Sequence, residues 1–170
     1  YCTMCAYLHD IGKIFIPPSI LQKQGPLTDE EYEIMKKHTT LGYKMCMDDL
    51  KLRPYSAGPI YHHEALNGSG YPKGLTGKDI PLEGQIIRVA DEFDAIASKR
   101  QYKSHVGISE TLKMLVNDAN SGKINKKALK CLFKVIIDDT NYEISGIFDY
   151  TKHLSSQIKR LEEIDKFNEK

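Results

Sequence analysis

"LTDEEYEIMKKHTTLGYKMC", residues 27–46, decides the fold class. Thr28 and Glu31 stand at capping-box spacing, in which each side chain can bond the other residue's backbone N–H at a helix start. Behind them Ile34, Leu41 and Met45 recur seven and four residues apart, the period of one helical face. The same stretch sets His38 four residues after Ile34 and three before Leu41. His38 is therefore expected on the core-facing stripe. A single inward histidine is ordinarily a hydrogen-bonded core residue. Its meaning depends on what the other helices bring to it.

Those helices read outward from this one. Residues 3–9 read as the end of a helix, stopped by Gly12 and the Pro17-Pro18 pair. Residues 54–65 read as another, ended by Asn67-Gly68. "GQIIRVADEFDAIASK", residues 84–99, carries Ile86, Val89, Phe93 and Ile96 on one face. Residues 106–120 and 125–138 are two further helices with Gly122 between them. From Lys152 onward, Leu154, Ile158, Leu161 and Ile164 form one apolar stripe, suited to packing back on the bundle or to pairing between chains as a homodimer. Strand-like alternation nowhere persists beyond a few residues. The expected fold is all-α, a compact helical bundle.

Composition narrows the function classes. The chain has 170 residues, enough for one domain with a real core. Its 24 basic and 23 acidic residues nearly cancel, which argues against a partner such as long nucleic acid or an anionic membrane. No apolar run approaches the length of a membrane span, so no membrane insertion is expected of this segment. Cys2, Cys5, Cys46 and Cys131 do not form a dense disulfide pattern. Reduced thiols fit a cytoplasmic protein. Cys2 and Cys5 make a C-x-x-C, a spacing used for zinc or redox chemistry. No second pair follows, and packing or surface thiols are the preferred reading. The chain opens at Tyr1 without a methionine and reads as a piece of something longer.

The polar residues on the expected helices form a set. "LHDIGK" joins His9 to Asp10, with Lys13 just after. His62 and His63 stand side by side near a helix end, and Asp91 sits inside "IIRVADEFDAI". Four of the six histidines and two aspartates thus fall at inward or helix-end positions. Imidazole and carboxylate are ligands of divalent first-row metals. Adjacent helical residues point about 100° apart, so His62 and His63 are expected to face different ions. An aspartate can bridge two. This pattern suggests a two-metal site with ions roughly 3.5–4 Å apart, which activates a bridging hydroxide and clamps a phosphoryl displacement. The glycines of "NGSGYPKGLTG" let backbone come close to a ligand.

The run "LHDIGKI", "LTDEEYEIMKKH", "HHEALNGSGYPKGL" and "IPLEGQIIRVADEFDAIASKRQYK" resembles the HD-GYP family over about residues 5–120, in the family's motif order. These are metal-dependent phosphodiesterases of the bacterial second messenger cyclic di-GMP, built on an all-helical HD-domain bundle. The resemblance implies His9, Asp10, His38, His62, His63 and Asp91 as metal ligands, with Asp10 bridging. It implies two divalent ions, iron or manganese. It makes Lys13 a catalytic and substrate-contacting lysine beside Asp10. It makes Gly70, Tyr71 and Pro72 the signature turn at the substrate. Arg100 and Lys103 match a basic pair that holds a phosphate or a guanine. The motif "RQYK" has lysine at its fourth position where many members have arginine, which changes the hydrogen-bonding geometry available there.

Some family members have an upstream helix that supplies a glutamate and a histidine to a third metal. This chain begins eight residues before His9, so that helix is expected in a longer parent, behind a sensor or receiver domain. The expected division is a catalytic domain over 1–150 and a C-terminal helix over 151–170. The expected activity is hydrolysis of cyclic di-GMP to the linear dinucleotide or GMP. Two alternatives stay open: a receptor or partner-binding module without turnover, and a phosphohydrolase of another nucleotide.

Overall fold

The computed structural model describes residues 1–98, 108–143 and 159. Arg100, Lys103 and nearly all of the expected tail helix lie outside the described residues. Among the described residues the protein is helical, with a single isolated bridge between Asn67 and Thr76 and no strand. The chain divides into two compact units, Tyr1–Arg88 and Val89–Lys170.

In the first unit, α1 (Cys2–Leu8) leads through a 3-10 turn (Ile11–Phe15) and the short α2 (Pro18–Leu21) into α3 (Asp29–Asp48). The capping box that starts α3 is formed on both sides: Thr28 N–H donates to Glu31 Oε2 at 2.7 Å, and Glu31 N–H donates to Thr28 Oγ1 at 3.3 Å. Ile34, Leu41 and Met45 are half-buried along α3, and His38 between them is buried. Then come a 3-10 turn (Arg53–Tyr55), α4 (Ala57–Tyr61), and the start of α5 (Leu82–Ser98). Cys5, Ile16, Ile20, Cys46, Ile60, Ile80 and Ile87 form the buried apolar interior of this unit. Burial pushes the thiols of Cys5 and Cys46 up, which keeps them protonated, and all four cysteines are free. The C-x-x-C therefore packs.

Close backbone contact, more than side-chain volume, holds the first unit's turns together. Gly12 is buried where the Ile11–Phe15 turn crosses α3. A Cβ on it would stand 1.9 Å from the His38 carbonyl oxygen and 2.5 Å from Gly42 N. Only glycine fits there. The second unit is built differently. Val89, Leu112, Leu115, Val116, Ala119, Ile124, Leu129 and Phe133 make a dry cluster joining the start of this unit, α6 (Ile108–Asn120) and α7 (Lys126–Glu143). Phe93 and Ile96 pack against it.

Two local expectations are corrected. The helix expected over 54–65 is broken into the Arg53–Tyr55 turn and a five-residue α4 that ends at Tyr61. The last carbonyls of a helix lack intrahelical partners. Those of Gly58 and Pro59 are taken by the His62 ring, whose Nδ1 lies 2.9 and 3.0 Å from them. On α5, Ile86 is exposed and its neighbour Ile87 is buried. The stripe Ile86, Val89, Phe93, Ile96 satisfies the helical period, but period alone does not choose between adjacent isoleucines.

Candidate metal centre

The site is assembled in the first unit from two helix ends, one helix interior and a loop. His9 follows the last residue of α1, and its Nδ1 lies 2.5 Å from the Ala6 carbonyl. His38, inside α3, sets Nδ1 2.7 Å from the Met35 carbonyl. His62 caps α4 as described above. A carbonyl oxygen only accepts, so each of these three rings carries its hydrogen on Nδ1. The Nε2 atoms then turn toward one another and toward Asp10.

The distances are short. His38 Nε2 is 3.2 Å from His62 Nε2. Asp10 Oδ1 lies 3.5 Å from His38 Nε2 and 3.8 Å from His62 Nε2. Asp10 Oδ2 lies 3.2 Å from His9 Nε2 and accepts from Lys13 Nζ at 2.5 Å. His38 and His62 are 1% and 0% exposed, so water does not screen this meeting of lone pairs. Burial drives the His38 ring toward its neutral form. Burial works against ionisation of Asp10, yet the neighbouring His9 ring and Lys13 ammonium hold its carboxyl well below the usual carboxylate range. Asp10 Oδ1 is buried and has no hydrogen-bond partner among the described residues. An anionic oxygen facing neutral imidazole nitrogens is a donor set that suits a divalent cation. His38, His62 and His63 each offer a ligand atom, all within 4.8 Å of one another, and could hold a metal ion.

His62 and His63 do not diverge as a helix would make them. Their ring centroids are 4.1 Å apart with planes tilted by 43°. The reason is that α4 has ended at Tyr61, so His63 follows the turn rather than the helical spiral. The His9 and His62 centroids lie 5.0 Å apart, and those of His38 and His63 lie 5.2 Å apart. The structure thus brings His9, Asp10, Lys13, His38, His62 and His63 together. Asp91 belongs to the second unit, where it is half-buried on α5.

The signature turn follows directly. Gly70 is pressed against the chain at residues 63–65, where a Cβ would stand 2.2 Å from Ala65 N and 2.5 Å from the His63 carbonyl oxygen. Tyr71 N–H donates to that same carbonyl at 3.1 Å. The Tyr71 ring stacks on His63, centroids 4.7 Å apart and planes 26° apart. Pro72 is half-buried beside it.

Sequence reasoning missed Glu64. Its side chain is 1% exposed and accepts from Lys73 N at 2.7 Å and Leu75 N at 2.8 Å. Two charge-assisted bonds to backbone amides therefore pin the signature turn from inside. The available signal was an acid placed between a histidine pair and a glycine-rich turn, whose amides need acceptors. Arg88 was missed as well: its Nη1 donates to the His63 carbonyl at 3.0 Å.

A family model described as HD domain matches residues 2–127. The chain is 46% identical over 123 residues to a cyclic di-GMP phosphodiesterase of Thermotoga maritima, covering 70% of this chain and 32% of that protein. It is 48% identical over 103 residues to the cyclic di-GMP phosphodiesterase response regulator RpfG of Xanthomonas campestris, covering 59% and 27%. It is 46% identical over 98 residues to the 3'3'-cGAMP-specific phosphodiesterase 2 of Vibrio cholerae, covering 56% and 19%. The chain belongs to the HD-domain family, in its HD-GYP branch. It spans a third or less of the length of these relatives. No helix among the described residues is long and apolar enough to cross a membrane.

Proposed function

We propose that this chain is the catalytic region of a metal-dependent phosphodiesterase that hydrolyses cyclic di-GMP. The observation that carries the reading is the buried, unbonded Asp10 Oδ1 facing His38 Nε2 and His62 Nε2 at 3.5 and 3.8 Å. His9, Asp10, His38, His62 and His63 would hold the divalent ions, iron or manganese, and the resemblance alone adds Asp91 to the ligand set. When bound, such ions supply a nucleophile at neutral pH and take up charge on the phosphoryl oxygens.

The chain's own residues do the rest. The Ala6, Met35, Gly58 and Pro59 carbonyls fix the ring tautomers, so the Nε2 lone pairs stay directed inward. Lys13 keeps a positive charge beside Asp10, where phosphate negative charge grows during displacement. Arg100 and Lys103 would take the phosphate or guanine that is not reacting, with arginine offering the planar fork. The signature turn Gly70–Tyr71–Pro72 would form the wall next to the reacting phosphate.

A second reading is favoured by one finding: a relative of comparable identity is named for 3'3'-cGAMP rather than cyclic di-GMP. The class of substrate, a cyclic dinucleotide, is the same. The test is to load the protein with Mn²⁺ or Fe²⁺, incubate it with each dinucleotide, and identify the products. Asp10→Ala is expected to abolish turnover and to lower metal content. Unchanged turnover and metal content in Asp10→Ala would reduce Asp10 to a helix-end residue and overturn the reading.

A further inference from the structure

Beside the candidate centre lies a groove of about 210 Å³ between α3 and the signature turn. One wall is a single stripe of α3, made by Glu33, Lys36, Lys37 and Thr40. The other wall is Tyr71 with Pro72, both half-buried. Tyr71 joins the groove to the centre, because its ring stacks on His63. Lys36 Nζ stands 5.7 Å from the Tyr71 ring centroid and 5.3 Å from that of Tyr32, and it pairs with Glu33 Oε1. The Glu33 side chain is 66% exposed and that of Lys36 25%, so the acid lies nearer solvent and the lysine deeper. An aromatic and prolyl wall opposite a paired acid and base suits a nucleobase. A bare phosphate would meet the Glu33 carboxylate as a like charge.

We propose that this groove takes a guanine of the cyclic dinucleotide, and that Glu33 and Lys36 read the edge of that base. The proposal deepens the phosphodiesterase reading and rests on it. Guanine presents N1–H and its 2-amino group as donors beside the O6 acceptor. A carboxylate only accepts, and its two oxygens have several lone pairs, so Glu33 can take both donors while keeping Lys36. An ammonium only donates and has more than one hydrogen, so Lys36 can serve Glu33 and O6 together. Adenine reverses the pattern, with an acceptor at N1 and a donor at its 6-amino group. Its N1 lone pair would face the carboxylate. A site built to bond a donor rejects an analogue that lacks it, because the site's own polar groups are left unpaired. The groove has room for part of a dinucleotide, since pockets that enclose a whole drug-sized ligand run to about 300–1,000 Å³. A nucleotide with its phosphate at the centre reaches the groove past one ring, that of Tyr71. Arg100 and Lys103 are left for the other half of the molecule.

The test removes one donor of the base and its acceptor on the protein, singly and together. The parent chain and Glu33→Ala are titrated at saturating Mn²⁺ with hydrolysis-resistant phosphorothioate analogues of cyclic di-GMP and cyclic di-IMP. Cyclic di-IMP keeps N1–H and O6 and lacks the 2-amino group. The parent is expected to prefer cyclic di-GMP by about 10-fold or more, the worth of a hydrogen bond to a charged group. In Glu33→Ala cyclic di-GMP should bind about 10-fold more weakly, and the ratio of the two affinities should fall by about the same factor. A general disturbance of the groove would weaken both ligands and leave the ratio as it was. Lys36→Met should weaken both alike, since both keep O6. An unchanged ratio in Glu33→Ala, with cyclic di-GMP bound by the parent, would overturn the proposal and leave the phosphodiesterase reading standing. If the parent binds no cyclic dinucleotide under these conditions, the phosphodiesterase reading itself fails, and the proposal falls with it.

Discussion

His38 and His63 sit 5.2 Å apart, ring centre to ring centre, and are held in place by opposite means. His38, like His9 and His62, is held locally. The ring of each folds back onto a carbonyl three or four residues earlier in its own helix. His63 is held by chain that comes after it, by Tyr71 eight residues on and Arg88 twenty-five residues on. One half of the candidate site is built by helices and the other by a pinned loop. The helical half needs its helices brought close together. The loop half needs a specific loop path. The two should fail differently when broken.

The largest expected effect is in the helical half. Gly12→Ala would drive a Cβ into the His38 carbonyl oxygen and Gly42 N, both of them backbone atoms that cannot swing aside. The Ile11–Phe15 turn would have to lift off α3, taking Asp10 and Lys13 with it. Overpacking of this severity should cost about 3 kcal/mol, or roughly 6–12 °C of melting temperature for a chain of this size. Metal content should fall as well, since Asp10 leaves His38 and His62. A Gly12→Ala protein with parental melting temperature and metal content would mean that the turn and α3 are not held as closely as the structure shows.

Glu64 tests the loop half. Glu64→Gln keeps the shape but loses the charge, and it turns an amide donor toward one of two backbone donors. Hydrogen bonds to a buried charge are worth about 1.5–3 kcal/mol, so a loss of about 2 kcal/mol is expected, or roughly 4–8 °C. The discriminating readout is hydrogen exchange. The amides of Lys73 and Leu75 should lose protection, while those of α3 around His38 keep theirs. Equal loss of protection in both would mean that the two halves are one cooperative unit, and the comparison would collapse.

That contrast also explains what could be read in the sequence. The capping box, the α3 stripe and the inward His38 all follow from spacings of three, four and seven residues, and local periodicity carries them. His9 and His62 were legible as helix-end residues for the same reason. The resemblance supplied the order in which these residues meet. Glu64 was not legible, because an acid in a polar loop is ordinarily solvated. Its partners lie nine and eleven residues ahead, on a turn whose path no local rule fixes. The convergence of His62 and His63 was misjudged because α4 was expected to run on to residue 65, and it stops at Tyr61. The choice of Ile87 over Ile86 depends on how the helix is rotated about its axis, which tertiary packing sets.

The smallest expected effect falls on the most legible feature. Thr28→Ala removes one side of the capping box and leaves Glu31 bonded to the Thr28-position N–H. Loss of such a cap costs about 1 kcal/mol, or roughly 2–4 °C here. His38 lies ten residues further along α3, beyond the first turns that fray when a cap is lost. Metal content and metal affinity of Thr28→Ala should therefore match the parent, measured side by side with Glu64→Gln. The helical half is expected to tolerate damage at its far end because each histidine is seated by a carbonyl within its own turn. If Thr28→Ala lowered metal affinity as much as it lowered stability, the seating of His38 would depend on the whole of α3, and the local account of the helical half would be wrong.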